Sequence, residues 1–406
     1  MFPPTPKIAI IGAGPTSLTL AAILHRNAIP YTIYEAAPAL RHQGGSLDLH
    51  PQTGQQALRE AGLWDAFVEH ARPESDCLKL VDLDSGEVFW DENAGDGQPS
   101  EEQEKERAVQ DSLEGRPEID REWLMRITYG AVPEASVKWG AKLKGVVPSS
   151  EPCKHALHFA DGSTEEGFDL VVGGDGAWSK VRNLLTDLKP RYSGISAVEL
   201  WHNDVQREPW LRDYVGAGSC FAFAEGSAVL SQRQGDGSLR TYACLRVPET
   251  FIAECGIDWE SGDTARTQFV ERYFNHVAPD LQRLLTLSKD KLMPRVLYEL
   301  PIGFSYPHVQ GVTLIGDAAH VMTPFAGVGV NVGMTDALVL AREVIASCKG
   351  EKSLDEAVKA YEEEMWPRAK KFMEKTAEGK ERHFRAGGSR EMADMMKAFH
   401  AGQTPE

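Results

Sequence analysis

At 406 residues, with 42% hydrophobic and 25% charged side chains, the chain has the composition of a folded globular protein and exceeds one ordinary core. Two domains, or one domain with a large insertion, are expected. A formal net charge of −17 excludes a chain that wraps a polyanion or lies on an acidic membrane, because phosphate contacts need clustered Lys and Arg.

The six cysteines form no C-x-x-C pair and the twelve histidines show no metal-binding spacing. Reduced thiols in a cytoplasmic compartment are therefore expected, with no structural metal.

The first predicted element covers residues 7–11 (KIAII), short and β-branched like a buried parallel strand. Residues 16–27 then repeat apolar side chains at helical spacing. A basic residue ahead of an apolar run also fits a secretory signal or membrane anchor. Gly12, Gly14 and Pro15 break that run, only Lys7 precedes it, and no stretch of about 18 apolar residues occurs, so neither is expected.

Between strand and helix lies Gly12-Ala13-Gly14-Pro15-Thr16-Ser17. Gly12 permits a tight turn, and Gly14 lets a pyrophosphate approach the amides at the helix start, where the helix dipole favours anions. Gly12, Gly14, Pro15 and Thr16 are the candidate contacts. Ser17 stands where the usual fingerprint has its third glycine, a slot that requires a small residue. A second strand, residues 31–35 (YTIYE), ends in Glu35, whose carboxylate can grip the hydroxyls of an adenosine ribose. The alternative for Glu35 is a solvated strand end. At this point the dinucleotide is either NAD or FAD.

Residues 91–116 are acidic and turn-rich, a surface excursion without a core. Residues 168–182 read FDLVVGGDGAWSKVR: a buried strand, then Asp175-Gly176, then Ser179 and Arg182 at a helix start. Here the sequence resembles the class A flavoprotein monooxygenases, whose DG motif has the form D-G-x-x-S-x-x-R. The resemblance implies that this segment borders the FAD pyrophosphate and the nicotinamide donor, with Asp175 a cofactor contact and Arg182 also structural.

Residues 196–300 hold β-rich pieces (AVELWHND, CFAFAE, LRTYACLRV, PRVLYELP) around a helical stretch at 264–288, which predicts an antiparallel substrate sheet. Its aromatics Trp201, Phe221, Phe223 and Tyr242 read mainly as core.

Residues 312–333 read VTLIGDAAHVMTPFAGVGVNVG. A strand delivers Gly316-Asp317 at its carboxyl end, where open α/β sheets bind ligands, and in the family this GD carboxylate accepts hydrogen bonds from the ribityl chain. Glycines at 327 and 329 leave amides free at the next helix start, where the flavin pyrimidine edge is expected. Pro324, Gly327, Gly329, Val330 and Asn331 are the candidate contacts. Oriented N–H groups there favour the negative charge of reduced flavin. His320 reads as a satisfied supporting histidine or as a proton shuttle.

Three stretches, GGSLDLH (44–50), PEIDR (117–121) and SKVR (179–182), narrow the likeness to the tetracycline-inactivating, TetX-like group. That likeness implies that Asp48 and Arg121 contact FAD, that Leu143 lies on the adenine side and that Arg41 helps bind NADPH. In the substrate region Glu199 falls where that group has Gln, Ala228 where it has Arg, and Tyr242 near its substrate-facing His. Glu199, Tyr242, Phe325 and Gly327 are the candidate substrate contacts. Losing a cation and two polar partners matters because buried hydrogen-bonding groups discriminate substrates strongly.

The expected fold is α/β: a Rossmann-like FAD-binding domain, discontinuous over 1–76, 107–186 and 301–347, with a β-sheet substrate domain from 77–106 and 187–300. An amphipathic helix over 353–385, containing Pro367, bridges the two or, alternatively, dimerises; a monomer is expected. The implied reaction uses NADPH to reduce FAD, with O₂ forming a flavin C4a-hydroperoxide that hydroxylates an electron-rich aromatic or enolic small molecule. Tetracycline-like polyketides, and hence antibiotic resistance, fall in that class. No side-chain catalyst is expected, since the cofactor carries the chemistry. The alternatives are a flavin-dependent halogenase, although its W-x-W-x-I-P stretch is missing here, or a non-catalytic FAD-holding redox sensor or drug-binding protein.

Overall fold

The structure is a computed structural model, and it describes residues 5–40, 44–93, 115–204 and 206–400. The chain divides into two compact units. The first comprises residues 1–71, 121–191 and 298–376, and the second 72–120, 192–297 and 377–406.

The first unit is built on a five-stranded sheet. Its spatial order is Val312–Leu314, Leu170–Gly173, Ile8–Ile11, Tyr31–Glu35, Val137–Trp139, and every pairing is parallel. All four residues of Ile8–Ile11 are buried, as befits a central strand covered on both faces. The helix Pro15–Arg26 follows it and packs on the long helix Gly329–Cys348. A three-stranded antiparallel sheet (Leu143–Pro148, His155–Phe159, Thr164–Phe168) is added to this unit. The Rossmann-like arrangement expected from the first strand, turn and helix is therefore present, and the Gly12 turn, Glu35, Asp175 and Gly316-Asp317 all lie at or just past the carboxyl ends of its strands.

The second unit carries a seven-stranded sheet in the order Lys291–Glu299, Arg191–His202, Leu239–Arg246, Ser227–Arg233, Ser219–Ala224, Leu78–Asp82, Val88–Asp91. It is not wholly antiparallel as expected, because Ser219–Ala224 and Leu78–Asp82 pair in parallel. The parallel pair arises because Leu78–Asp82 is supplied from far earlier in the chain, not by a hairpin.

One face of the sheet packs on helices. Val198, Leu200, Ala243 and Leu245 meet Phe269, Leu281, Leu284 and Leu285 in one buried cluster. The expected helical stretch is two helices, Asp263–Tyr273 and Pro279–Leu287, separated where Pro279 opens the second.

The C-terminal helix is Leu354–His383, with Pro367 inside it. Ser353 starts it with a capping box: Glu356 N–H donates to Ser353 Oγ at 3.2 Å, and Ser353 N–H donates to the Glu356 carboxylate at 2.8 Å. All six cysteines are free. Among the described residues no helix is long and apolar enough to cross a membrane, and no cluster of His, Cys, Asp and Glu could hold a metal ion.

Candidate functional site

Two glycines in the first turn are glycine for different reasons. Gly12 has φ +94°, and a Cβ there would stand 2.5 Å from the carbonyl oxygen of Gly174, so the chain's own packing demands it. Gly14 is extended, at φ −78°, and a Cβ there would meet nothing within 4 Å. The chain does not need a glycine at 14; it leaves a bare backbone facing open space. Pro15 occupies the first helical position, and no side chain caps the helix start. The amides of Thr16 and Ser17 are therefore available to an anion.

Ser17 fills the third slot of the fingerprint without exposure. Its room comes from the facing strand: a Cβ on Gly174 would lie 2.1 Å from Ser17 Oγ. Thr16 is flanked in the same way, since a Cβ on Gly333 would stand 2.4 Å from its Oγ1 and one on Gly316 3.1 Å from it. Segments that are widely separated in sequence thus converge around one helix start. Glu35 lies at the end of its strand and accepts the Ala13 and Ala37 amides, each at 2.7 Å, so the acid is joined directly to the phosphate turn.

The DG segment is organised by its own side chains. Asp175 accepts Ser179 Oγ at 2.5 Å and the Lys180 amide at 2.6 Å, while burial raises its pKa above the usual carboxylate range. Arg182, 1% exposed, donates to Ala318 O at 2.8 Å and also to Ala177 O. It therefore ties the DG turn to the backbone just beyond Asp317. Asp317 itself is exposed at the start of the short helix Asp317–His320, and its carboxylate makes no hydrogen bond or ion pair among the described residues.

The loop 324–328 turns on the Gly327 amide, which donates to Pro324 O at 2.9 Å, with Gly327 at φ +65°. The helix Gly329–Cys348 then begins without a side-chain cap. The amides of Gly329 and Val330 lie in its first turn, where intrahelical partners are lacking, and a Cβ on Gly329 would meet nothing within 4 Å. Pro324 is exposed, whereas Phe325 is 8% exposed.

Asn331 points back to the segment carrying Asp48. It accepts His50 N–H at 2.8 Å and Thr53 Oγ1 at 3.0 Å, and donates to Asp48 O at 2.8 Å. Asp48 Oδ2 is 2.9 Å from His50 Nε2. A Cβ on Gly327 would come 3.6 Å from Asp48 Oδ1, so those two expected contacts are neighbours. Arg121 is exposed, and its side chain crosses Gly44, where a Cβ would lie 2.5 Å from Arg121 Cδ. Leu143 is buried at the start of the strand Leu143–Pro148. Arg41 lies outside the described residues.

Behind the GD turn is a buried polar cluster that the sequence reading missed. Asp336, fully buried, accepts Gly316 N–H at 2.8 Å, His320 Nε2 at 2.6 Å and Arg368 Nη2 at 2.9 Å. Burial works to raise the Asp336 pKa, but His320 and Arg368 outweigh it and hold the carboxyl below its ordinary range. His320 is thus a satisfied supporting histidine, its pKa raised despite burial by the Asp336 charge. One signal was available: Asp336 shares the buried helix stripe of Val332, Gly333, Ala337 and Leu340, where a charge needs a partner.

In the second unit Glu199 and Tyr242 sit directly opposite each other on adjacent strands. Glu199 is 4% exposed. It accepts Trp201 Nε1 at 2.7 Å and Arg295 Nε and Nη2 at 3.1 and 3.0 Å, and Arg295 was another residue missed. Trp201 carries Arg240 and Lys291 at 3.8 and 4.2 Å from its ring centroid, so it is a polar platform more than a core residue. Ala228 is fully buried.

The bare Gly14 and Gly329, the uncapped helix starts and Asp317, whose carboxylate has no hydrogen-bond partner among the described residues, combine free amide donors with a carboxylate acceptor. They suit a diphosphate, a polyhydroxylated linker and an electron-poor ring.

Comparison with known proteins identifies the family. A family model described as an FAD binding domain matches residues 5–376. The Monooxygenase penA of Penicillium thymicola is 31% identical, over 91% of this chain and 93% of that protein. Among solved structures, Klebsiella pneumoniae HpxO complexed with FAD and uric acid superposes with a TM-score of 0.72 at 22% identity, covering 98% of this chain and 92% of that one. The tetracycline destructase Tet(55) gives 0.71 at 17% identity, covering 100% of each chain; at that identity the likeness concerns the fold. The chain belongs to the FAD binding domain family and is a flavin-dependent monooxygenase.

Proposed function

We propose that this monooxygenase consumes NAD(P)H and hydroxylates an electron-rich aromatic or enolic small molecule, with FAD held by the first unit and substrate by the sheet of the second. The observation that carries the reading is Gly14 at the uncapped start of the helix Pro15–Arg26: its missing side chain serves no contact inside the protein, which suits a turn laid against a ligand's phosphates. Bound FAD supplies the redox chemistry, taking reducing equivalents from the nicotinamide and activating O₂ for insertion of one oxygen atom.

The chain's own residues bind and orient. Thr16 and the Gly14 turn hold the diphosphate, Glu35 the adenosine ribose with Leu143 on the adenine side, and Asp317 accepts from the linker. Asp48, Arg121 and Asp175 complete the flavin contacts, and the Gly329 and Val330 amides offer positive dipole to the pyrimidine edge. Arg41 supplies a cation suited to an NADPH phosphate. Glu199 and Tyr242 select the substrate from the sheet of the second unit, and Phe325 and Gly327 are the substrate contacts of the first unit's glycine-rich loop. The Glu199–Arg295 pair, with Tyr242 opposite Glu199, is a polar face suited to substrates that carry hydrogen-bonding hydroxyls, such as phenols and enols. Tetracycline-like polyketides are members of that class.

The test is direct. The purified protein is expected to be yellow and to oxidise NADPH or NADH faster when a phenolic or polyketide substrate is added, with one oxygen atom from labelled O₂ entering the product. If no member of a broad phenol, enol and heteroaromatic panel stimulates oxidation or gains oxygen, the hydroxylase reading fails.

A further inference from the structure

We infer that the C-terminal helix acts as a positioning element for the flavin cradle, and that the buried Asp336–Arg368 pair is the hub through which it holds the GD turn. This rests on the FAD reading above.

Four side chains of the helix Leu354–His383 join it to the segment that carries the GD turn and the loop after it (Tyr361, Glu362 and Thr376) and to Asp336 on the next helix (Arg368). Tyr361 donates to Leu314 O at 2.8 Å, and Thr313 Oγ1 donates to Glu362 at 2.9 Å. Arg368 donates to Asp336 at 2.9 Å, and Thr376 donates to Thr323 O at 2.7 Å. The helix thus grips the strand before Gly316, the carboxylate beneath it and the loop before Pro324.

Asp336 deserves the central place because of what its second oxygen does. Gly316 sits at φ +59° and ψ −141°, and its N–H points inward to Asp336 Oδ2. The Ile315–Gly316 peptide, one residue before the exposed Asp317, is therefore fixed from behind by a carboxylate with no access to water. Such a carboxylate is costly unless neutralised, and Arg368 neutralises it from the C-terminal helix. The other ionisable groups facing this cluster are His320, Asp317, Tyr306, Tyr361 and Glu362, with Glu364 on the outer side of Arg368. Removing Arg368 leaves His320 as the only cation on Asp336 among the described residues, so the acceptor of the Gly316 N–H loses its fixed geometry.

The experiment compares FAD dissociation constants of full-length apoprotein, measured by flavin fluorescence quenching, for wild type, Arg368→Met, Arg368→Lys and Val358→Ala. Val358 is fully buried on the same helix and makes none of these polar contacts, so its truncation reports destabilisation alone. Arg368→Met is expected to weaken FAD by about tenfold or more and to alter the visible circular dichroism of bound flavin. Arg368→Lys should recover most of the affinity, and Val358→Ala should lower Tm with affinity near wild type.

Equal weakening by Arg368→Met and Val358→Ala, or wild-type binding and flavin dichroism in Arg368→Met, overturns the inference while leaving the FAD site intact. A wild-type protein that takes up no FAD overturns the site reading, and the inference with it. If Arg368→Met does not fold, Asp336→Asn carries the same comparison: the inference requires weakened FAD in that variant at temperatures well below its Tm, and wild-type affinity overturns it.

Discussion

The side-chain oxygen of Asn331 accepts the backbone N–H of His50 at 2.8 Å, across 281 positions of the chain. The same atom takes Thr53 Oγ1, and the Asn331 amide donates to Asp48 O. One side chain at the start of the last glycine-rich helix therefore sets the position of the strand that presents Asp48. Asn331→Ala leaves these groups unpaired and is expected to cost about 2 kcal/mol of stability and about tenfold in FAD affinity. Denaturant unfolding and FAD titration measure both, and unchanged affinity would show that Asp48 is not held for the flavin.

Gly12 and Gly14 should respond oppositely. Gly12→Ala forces a side chain into the Gly174 carbonyl at a positive φ and is expected to destabilise the fold by about 2 kcal/mol or more. Gly14→Ala meets no protein atom and should shift folding stability by less than about 1 kcal/mol, yet weaken FAD strongly. If Gly14→Ala binds FAD as wild type does, the diphosphate does not lie against that backbone.

Arg182 is buried and bonded to two carbonyls, Ala318 O and Ala177 O. Arg182→Ala is therefore expected to lower stability by about 2–4 kcal/mol, visible in thermal unfolding of the apoprotein before any nicotinamide is added. A variant as stable as wild type that had lost only NADPH binding would contradict this structural role.

A pH effect follows from His308. Its Nδ1 lies 2.6 Å from Glu362 and its Nε2 3.0 Å from Asp355. Burial pulls its pKa down, but the two acids outweigh burial and raise it above the ordinary 6.5. A folded pKa above the unfolded value adds stability that is complete below the unfolded value and disappears as pH rises through the folded one. The Tm advantage of wild type over His308→Gln should accordingly be widest near pH ~6 and narrow towards pH ~9. A gap that widens with pH would refute the ion-pair account.

The sequence made the glycines of the candidate site readable because each of them lies in a short contiguous turn whose neighbours set its geometry. Residues 12–17, 175–182 and 316–331 could be placed in that way. Asp336, Arg368 and Arg295 could not, since each acquires its meaning from a partner brought close only by the fold. Glu199 was noticed for its position, but its pairing with Arg295 and Trp201 depends on strand register and on the neighbouring strand at 291–299. The parallel pairing of Ser219–Ala224 with Leu78–Asp82 was unreadable for a similar reason, because no local turn encodes it.

The dovetail between Ser17 and Gly174 has a consequence for how such chains diverge. Steric room usually credited to a third glycine in the opening turn has here been relocated to the opposing strand, so the two sites share a single volume allowance. Enlarging position 174 should be tolerated only when position 17 shrinks, and the pair Gly174→Ala with Ser17→Gly should rescue what Gly174→Ala alone destroys.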